Sequence, residues 1–516
     1  TEESVVDSAP EEVPAEESLE TEEFVEISGE EGFMPDPGLE QYVSVSSKRT
    51  QTVEESPASV YVIGREEIES AGYQSVGEAL TFVPGLFTSY DLVNYHVGVR
   101  GIFGGSRSGS RTLKVMIDGR PVTVVQSGTY LLGKEFVPMS SIERIEVMRG
   151  PASALYGAGA LEGAINVVTK RPPYEGETTV SGQVTMSGGA LGQAGGGVDA
   201  STMVVGENSM VLLSYSGSRT DRSGLEIPDE SAFADNARFM DGDERIASRN
   251  DIARPQVFFA KAQTNIGGGR LDARAIMQMA DSKAEFYDLT VLSGGSRIRF
   301  YNANAAVSYE KPFASGFAFR TTGAFTKSAP LDGDRFVNTT SSIPVGLTSD
   351  GRNLTYERDF SSEEFTASAE VLREFSERGL ATVGVDVAHD VENLSQVTEI
   401  DDMGMRSPRA APNEVTLTNF AGYGQVLYPL GEELSIAAGA RFDQNSVYGG
   451  ALTGRVAAVY SPTDRISVKA LLGRAFKGAS PEQLYANPIR NGDLAGDDDL
   501  PPQFINAAEL SSSVFV

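Results

Sequence analysis

Apolar and polar side chains take turns along several long stretches of this chain, and that alternation constrains its fold more than any other feature. In LDARAIMQMADS, Leu271, Ala273, Ala275, Met277 and Met279 fall on one side and Asp272, Arg274 and Gln278 on the other. SIAAGARFD sets Ile436, Ala438, Ala440 and Phe442 against Ala437, Gly439, Arg441 and Asp443. FTASAEVL sets Phe365, Ala367, Ala369 and Val371 against Thr366, Ser368 and Glu370. A period of two belongs to an extended strand whose two faces meet different surroundings. From about Thr178 onward the pattern predicts a meander of about 14 strands, each roughly 10–14 residues, long for a soluble sheet and right for a tilted membrane strand. The connections alternate as well. Tight ones fall at GENS (206–209), GGG (267–269), FASG (313–316), SERG (376–379), LGEE (430–433) and PTD (462–464), with long polar segments such as 220–253, 328–362, 390–413 and 477–504 between them. Short turns at one end and long loops at the other are the signature of a membrane-spanning antiparallel β-barrel. A soluble β-helix or large sandwich would give neither feature.

Composition narrows the functions available. The chain has no cysteine, so disulfides and thiolate chemistry are excluded, and only His96 and His389 offer imidazoles, too few for a polyhistidine zinc site. A net charge of −30 argues against nucleic acid as a partner, since phosphate contacts need clustered Lys and Arg. The charge is uneven: residues 1–39 hold 14 acidic side chains and no basic one, leaving −16 for the rest. That Glu- and Pro-rich extension is predicted to be disordered, because it repels itself and lacks core-forming residues. No stretch approaches the roughly 20 apolar residues of a membrane helix. No catalytic constellation stands out, so the chain reads as a non-enzyme with neither cofactor nor metal site.

Residues 40–173 read differently, as a compact α+β unit. SVYVI (59–63) is a short strand; GREEIESAG and SVGEALTFVPG suggest two short helices, the second stopped at Pro84-Gly85. HVGVRG and TLKVMIDGRPV are strands, with Asp118-Gly119 as a hairpin turn. SSIERIEVMRG gives a helical turn, capped by Ser140 or Ser141, and then a strand. GAINVVTK (163–170) is a buried strand. Val60, Val62, Val99, Val115, Ile117, Ile145, Val147, Ile165 and Val167 supply a small core. GPASALYGAGALEGA lacks the spacing of a phosphate-binding loop and reads as tight backbone turning.

PASVYVI, EALTFVPGL, VGVRGI, VMIDGRPV, SIERIEVMRGPASALYG and GAINVVTK, in this order and followed by a barrel pattern, resemble the plug domain of TonB-dependent receptors. The resemblance implies four regions: an acidic extension (1–39), a TonB-box-like coupling segment (40–49), a plug (50–173) and a barrel (174–516). It implies an outer-membrane location, contact with membrane lipids, and import of a scarce bulky solute such as an iron chelate, driven by TonB and its ExbB–ExbD motor. In EQYVSVSSKR, Glu40, Tyr42, Val43 and Val45 would be captured by strand addition, although serines stand where a Thr-Ala pair often follows the valines. Arg100 and Arg149, each beside a glycine, would pair with glutamates on the barrel wall, with Glu370 as a candidate partner. By family position, Tyr90, Tyr95, His96, Arg107, Arg111 and Tyr130 lie on outward loops and would meet the ligand. The family barrel has 22 strands, so about 14 are expected to be part of it; a fragment lacking roughly eight strands is expected, with a split protein as the alternative. The competing functional reading is a ligand receptor or structural subunit of an envelope complex with transport reduced or lost.

Overall fold

The structure is a computed structural model of the chain. It describes residues 42–103, 112–124, 127–171, 178–186, 194–226, 229, 240–241, 244–245, 247–248, 251–283, 285, 295–338, 354–401, 403–408, 414–463, 465–486 and 495–514. The 1–39 extension lies outside these residues.

The N-terminal unit begins with two short strands, β1 (Tyr42–Val43) and β2 (Gln51–Thr52), paired antiparallel. β3 (Ser59–Gly64) leads into α1 (Arg65–Ala71) and α2 (Val76–Leu80), then the hairpin β4 (Leu86–Tyr90) and β5 (Tyr95–Val99). β6 (Leu113–Ile117), β7 (Arg120–Pro121), β8 (Ile142–Arg149), α3 (Ser153–Tyr156) and β9 (Gly163–Thr169) complete it. The central sheet runs β3-β8-β9-β6-β7, with β6 and β9 parallel. Asp118 and Gly119 form the β6–β7 turn with φ of 47° and 74°, the pair of positive values a type I′ hairpin requires. Ser75 caps α2 by accepting the Glu78 amide at 3.2 Å. The helix stops at Leu80, earlier than Pro84-Gly85 suggested. Ser140 and Ser141 do not cap a helix. They lie inside a 3₁₀ turn (Met139–Ser141), where the Ser141 hydroxyl donates back to the Pro138 carbonyl at 2.6 Å. All of the expected core valines and isoleucines are buried, Val60 and Val62 in one cluster and the others in a second with the fully buried Phe136.

The second unit is one continuous antiparallel sheet of 17 strands from Thr178–Met186 to Gln503–Val514. Three are short (Ile252–Ala253, Arg335–Asn338 and Arg406–Pro408), so fourteen long ones remain. The short ones sit at the loop ends of long strands, where no alternation marks them. The two-face pattern holds in three dimensions. Met277, Phe365, Phe442 and Leu472 are exposed on the outer face, while Arg274, Gln278, Arg441 and Asp443 are buried on the inner face. Apolar-out and polar-in is the arrangement lipid demands around a filled lumen. Among the described residues no helix is long and apolar enough to cross a membrane.

The N-terminal unit sits against the inner face. Its core runs on without a break into Met203, Met210, Leu212, Val257, Phe259 and Ile276 of the wall.

Candidate functional site

Two features lie where the plug unit meets the wall: a seam that holds residues 43–49, and a cavity above it. Val43 and Val45 are fully buried, in a cluster with Ala58, Val60, Met116, Met148 and Ala164. Burial of alternate valines leaves the backbone between them facing the plug, and Glu146 meets it. Its carboxylate accepts the amides of Ser44 (3.1 Å) and Val45 (2.9 Å), and binds Arg144 at 2.7 Å. The Tyr156 hydroxyl donates to the Val45 carbonyl at 2.8 Å. The wall takes over from there. Gln425 donates to the Ser47 carbonyl (2.6 Å) and Arg455 to that of Ser46. Lys48 reaches Glu370 at 2.7 Å and the Tyr423 hydroxyl at 3.2 Å, with its ammonium over the Tyr423 ring.

Glu370 therefore joins plug to wall through Lys48, not through either arginine. Arg100 forms a two-pronged pair with Glu509 at 2.6 and 2.8 Å. Gly150 makes room for it: with φ of 108°, an added Cβ would fall 2.2 Å from a Glu509 oxygen. Arg149 turns inward instead, donating to the Pro84 carbonyl (2.6 Å) and the Ser59 hydroxyl (2.8 Å). Its place on β8, paired with Ser59 of β3, directs it along the plug sheet. The glycine-rich run after it does pass close to the wall, since a Cβ on Gly157 would come within 2.9 Å of Arg441.

A second set of contacts clamps the β6–β7 hairpin. Buried Lys261 lies 3.1 Å from Asp118 and 3.2 Å from the Thr169 hydroxyl. Arg120 reaches Asp272 at 3.1 Å, and Arg274 donates to the carbonyls of Ile117 and Arg120. Inward-facing charges on the wall were visible in the alternation, but their plug partners were not.

The expected ligand face is rearranged. Asp91 accepts the amides of Val93 (2.9 Å) and Asn94 (2.6 Å), which tightens the β4–β5 turn and makes His96 part of a strand. His96 is thus buried, 2.7 Å from Asp91, and offers no imidazole to the lumen. Tyr90 and Tyr95 stack at 4.5 Å, Tyr90 exposed and Tyr95 filling the space beside Gly77. Tyr130 is buried in the plug core at the edge of the cavity. Glu40, Arg107 and Arg111 lie outside the described residues.

The cavity measures about 450 Å³ and lies between plug and wall, with Lys48, Glu370, Gly128, Ser480 and Gln483 in its lining. Helix α4 (Pro481–Tyr485), fixed by a Ser480–Gln483 capping box, brings Pro481 and Gln483 to its lining. Ionisable and other polar residues make up most of its lining, so it suits a polar solute.

Two plug carboxyls give the unit a distinct pH response. Burial pushes both Glu135 and Glu162 up to about 7; the Gly133 amide only partly offsets this for Glu135, and the Thr112 hydroxyl and Lys477 only partly for Glu162. Their unfolded-state values are near 4.5. Between pH 4.5 and 7 the folded plug keeps protons that the unfolded chain releases, so stability falls as pH rises through that window. The plug is expected to melt at a higher temperature at pH 5 than at pH 8, and Glu135→Gln to reduce that difference in calorimetry.

Comparison with known proteins agrees with this architecture. Residues 52–164 match the TonB-dependent receptor plug domain, and residues 244–515 match the TonB dependent receptor-like β-barrel. An iron-regulated outer membrane virulence protein of Vibrio cholerae is 34% identical over 137 residues, which are 26% of this chain and 20% of that protein. The vitamin B12 transporter of Vibrio vulnificus is 22% identical over 86% of this chain and 64% of its own length, so the chain spans less than two thirds of either relative. A variant of the ferric enterobactin receptor of Pseudomonas aeruginosa superposes with a TM-score of 0.69 at 17% identity, over 92% of this chain and 71% of the receptor. With a plug matched over residues 52–164 and a β-barrel matched over more than half of the chain, this chain belongs to the TonB-dependent receptors.

Proposed function

We propose that the protein imports a bulky solute of the ferric-chelate kind across the outer membrane, driven by TonB and the ExbB–ExbD motor. The observation that carries this reading is the seam. Residues 43–49 connect plug and wall at once, so a pull on them acts on both the Glu146 clamp and the Lys48–Glu370 pair. No nucleotide is within reach in an outer membrane, and a mechanical pull supplies the energy. The polar cavity gives the solute a path beside the plug once the seam opens. Relatives named for vitamin B12 and ferric enterobactin support a bulky chelate as cargo.

Deleting residues 40–49 tests it. Cells carrying the deletion are expected to lose uptake of a radiolabelled ferric chelate to background while still binding it at the surface. Undiminished uptake would refute the importer, and a structural subunit would keep its envelope role with the segment gone.

A further inference from the structure

The lipid-facing side of the wall carries a trough that neither the seam nor the cavity uses. Two adjoining depressions of about 710 and 470 Å³ share Ala260, Ala275, Ala305 and Phe325. The floor comes from strands Gln256–Ile266, Gly269–Ser282 and Ile298–Phe313, whose register sets Ala260, Ala275 and Ala305 side by side. Elsewhere on this face larger side chains such as Val383, Leu452, Leu472 and Leu510 stand out from the sheet. Two ring pairs border the floor, Tyr215 with Phe258 and Phe325 with Phe365, each with centroids 4.7 Å apart. A carbon-lined trough open to a bilayer takes up hydrocarbon, because an empty one forfeits the contacts of its lining.

Charge narrows the occupant. From Phe258 toward the long segment 220–253, the outward alternation passes Gln256 and reaches Arg254, about 13 Å farther along the strand. The pairings Gly217–Gln256 and Thr220–Ala253 flank Arg219 and Arg254 and set these two exposed arginines face to face. On the other side of Arg254, the pairings of Met279 with Gln256 and Ser282 with Ala253 bring in Asp281. Asp281 is already held by Arg297 at 2.6 Å and Arg299 at 3.6 Å, and Asp221 lies 3.5 Å from Arg219. Four arginines thus share two carboxylates, and among the described residues no carboxylate pairs with Arg254. Lys283 and the exposed Arg335, bridged to Arg297, extend the row, with Glu285 as the nearby acid. Like charges set directly opposite each other repel, so this edge calls for an anion, in a chain whose net charge is −30. Guanidinium groups hold phosphate two-pronged, through parallel N–H bonds. Short turns face the periplasm in outer-membrane barrels, and the arginine row lies at the opposite end, in the outer leaflet.

We infer that the trough and its arginine row bind one phosphorylated, multiply acylated lipid of the outer leaflet. An acyl chain lies over Ala260, Ala275 and Ala305, and a phosphate sits between Arg219 and Arg254. The inference goes beyond the importer reading and does not depend on what the protein carries.

The test is native mass spectrometry of the detergent-solubilised protein mixed with an equimolar amount of one of two lipids. One is a diphosphorylated, hexaacylated glucosamine disaccharide, and the other is phosphatidylethanolamine. The expected result is a single disaccharide lipid retained per protein, roughly tenfold or more above phosphatidylethanolamine. The double variant Arg219→Ala/Arg254→Ala is expected to lower retention roughly tenfold or more, and Ala275→Trp, which fills the trough, by as much. Arg465→Ala, beside a tight turn, is expected to change nothing. Should Ala275→Trp not fold, the arginine variant decides, since both its positions are exposed. No retained lipid, equal retention of the two lipids, retention indifferent to either variant, or a dimer in place of the lipid-bound monomer would each overturn the inference. No solute or energised partner enters the measurement, so such a failure leaves the importer reading to its own deletion test.

Discussion

Lys261→Met is expected to weaken the docking of plug on wall by about 3–5 kcal/mol, the range seen when one partner of a buried ion pair is removed. Lys261 is 1% exposed and comes from the wall, whereas its partners Asp118 and Thr169 belong to the plug. Burial works against the Asp118 charge, but the Lys261 ammonium, Arg171 and the Thr169 amide and hydroxyl together hold its carboxyl well below the usual carboxylate range. Methionine fills the space of the lysine stem and leaves that charge with Thr169 and Arg171. The double variant Lys261→Met/Asp118→Asn removes the stranded charge as well and is expected to recover part of the loss. Denaturant unfolding and protease cutting of the plug measure both. Equal stability of the wild type and Lys261→Met would show that the clamp does not hold the plug.

Glu146→Gln acts on the coupling segment instead. Its carboxylate, completely buried, receives two amides from the coupling segment and an Arg144 guanidinium. Glutamine keeps one acceptor oxygen, loses the charge, and turns an N–H₂ group toward Arg144. The expected cost is about 2–4 kcal/mol, felt as opening of the seam. Hydrogen exchange at Ser44 and Val45 is expected to rise by roughly two orders of magnitude or more, while β6 and β9 exchange as before. If all strands accelerated together, Glu146 would be a general core residue and not the holder of this segment. The two substitutions separate two contacts: Lys261 holds the β6–β7 hairpin to the wall, and Glu146 holds the coupling segment to the plug.

Much of this was legible in the sequence, for a physical reason. A strand between lipid and a polar lumen writes its environment into every second residue, so Met277 against Arg274 and Phe442 against Arg441 identify the two faces unaided. The plug core was legible on the same grounds, from Val60 through Val167. The seam was not. Lys48 and Glu370 are 322 positions apart, and neither side chain carries a mark of its partner. Glu146 reads as the polar member of an alternating strand, and only the fold reveals that two amides of a distant segment point at it. Arg100 and Arg149 look alike in sequence, each before a glycine. Arg100 sits in the turn just past β5 and reaches Glu509, whereas Arg149 ends β8 and stays within the plug. His96 was misplaced because the turn around Asp91 is shorter than the polar run TSYDLVNYH suggests. The three short strands were missed because two to four residues carry no readable period.

The account depends most on lipid lying against one face of the wall and the plug against the other. A cysteine scan along Leu434–Asn445 tests this directly, because the chain has no native cysteine. Each position would carry a nitroxide in protein reconstituted into phospholipid vesicles, with collisions read against oxygen, which partitions into lipid, and a nickel chelate, which stays in water. The expected record has a period of two, with oxygen contact highest at Ile436, Ala438, Ala440 and Phe442 and low at Ala437, Gly439, Arg441 and Asp443. A record in which the water-borne chelate reaches the Ile436–Phe442 face as freely as oxygen would contradict the account.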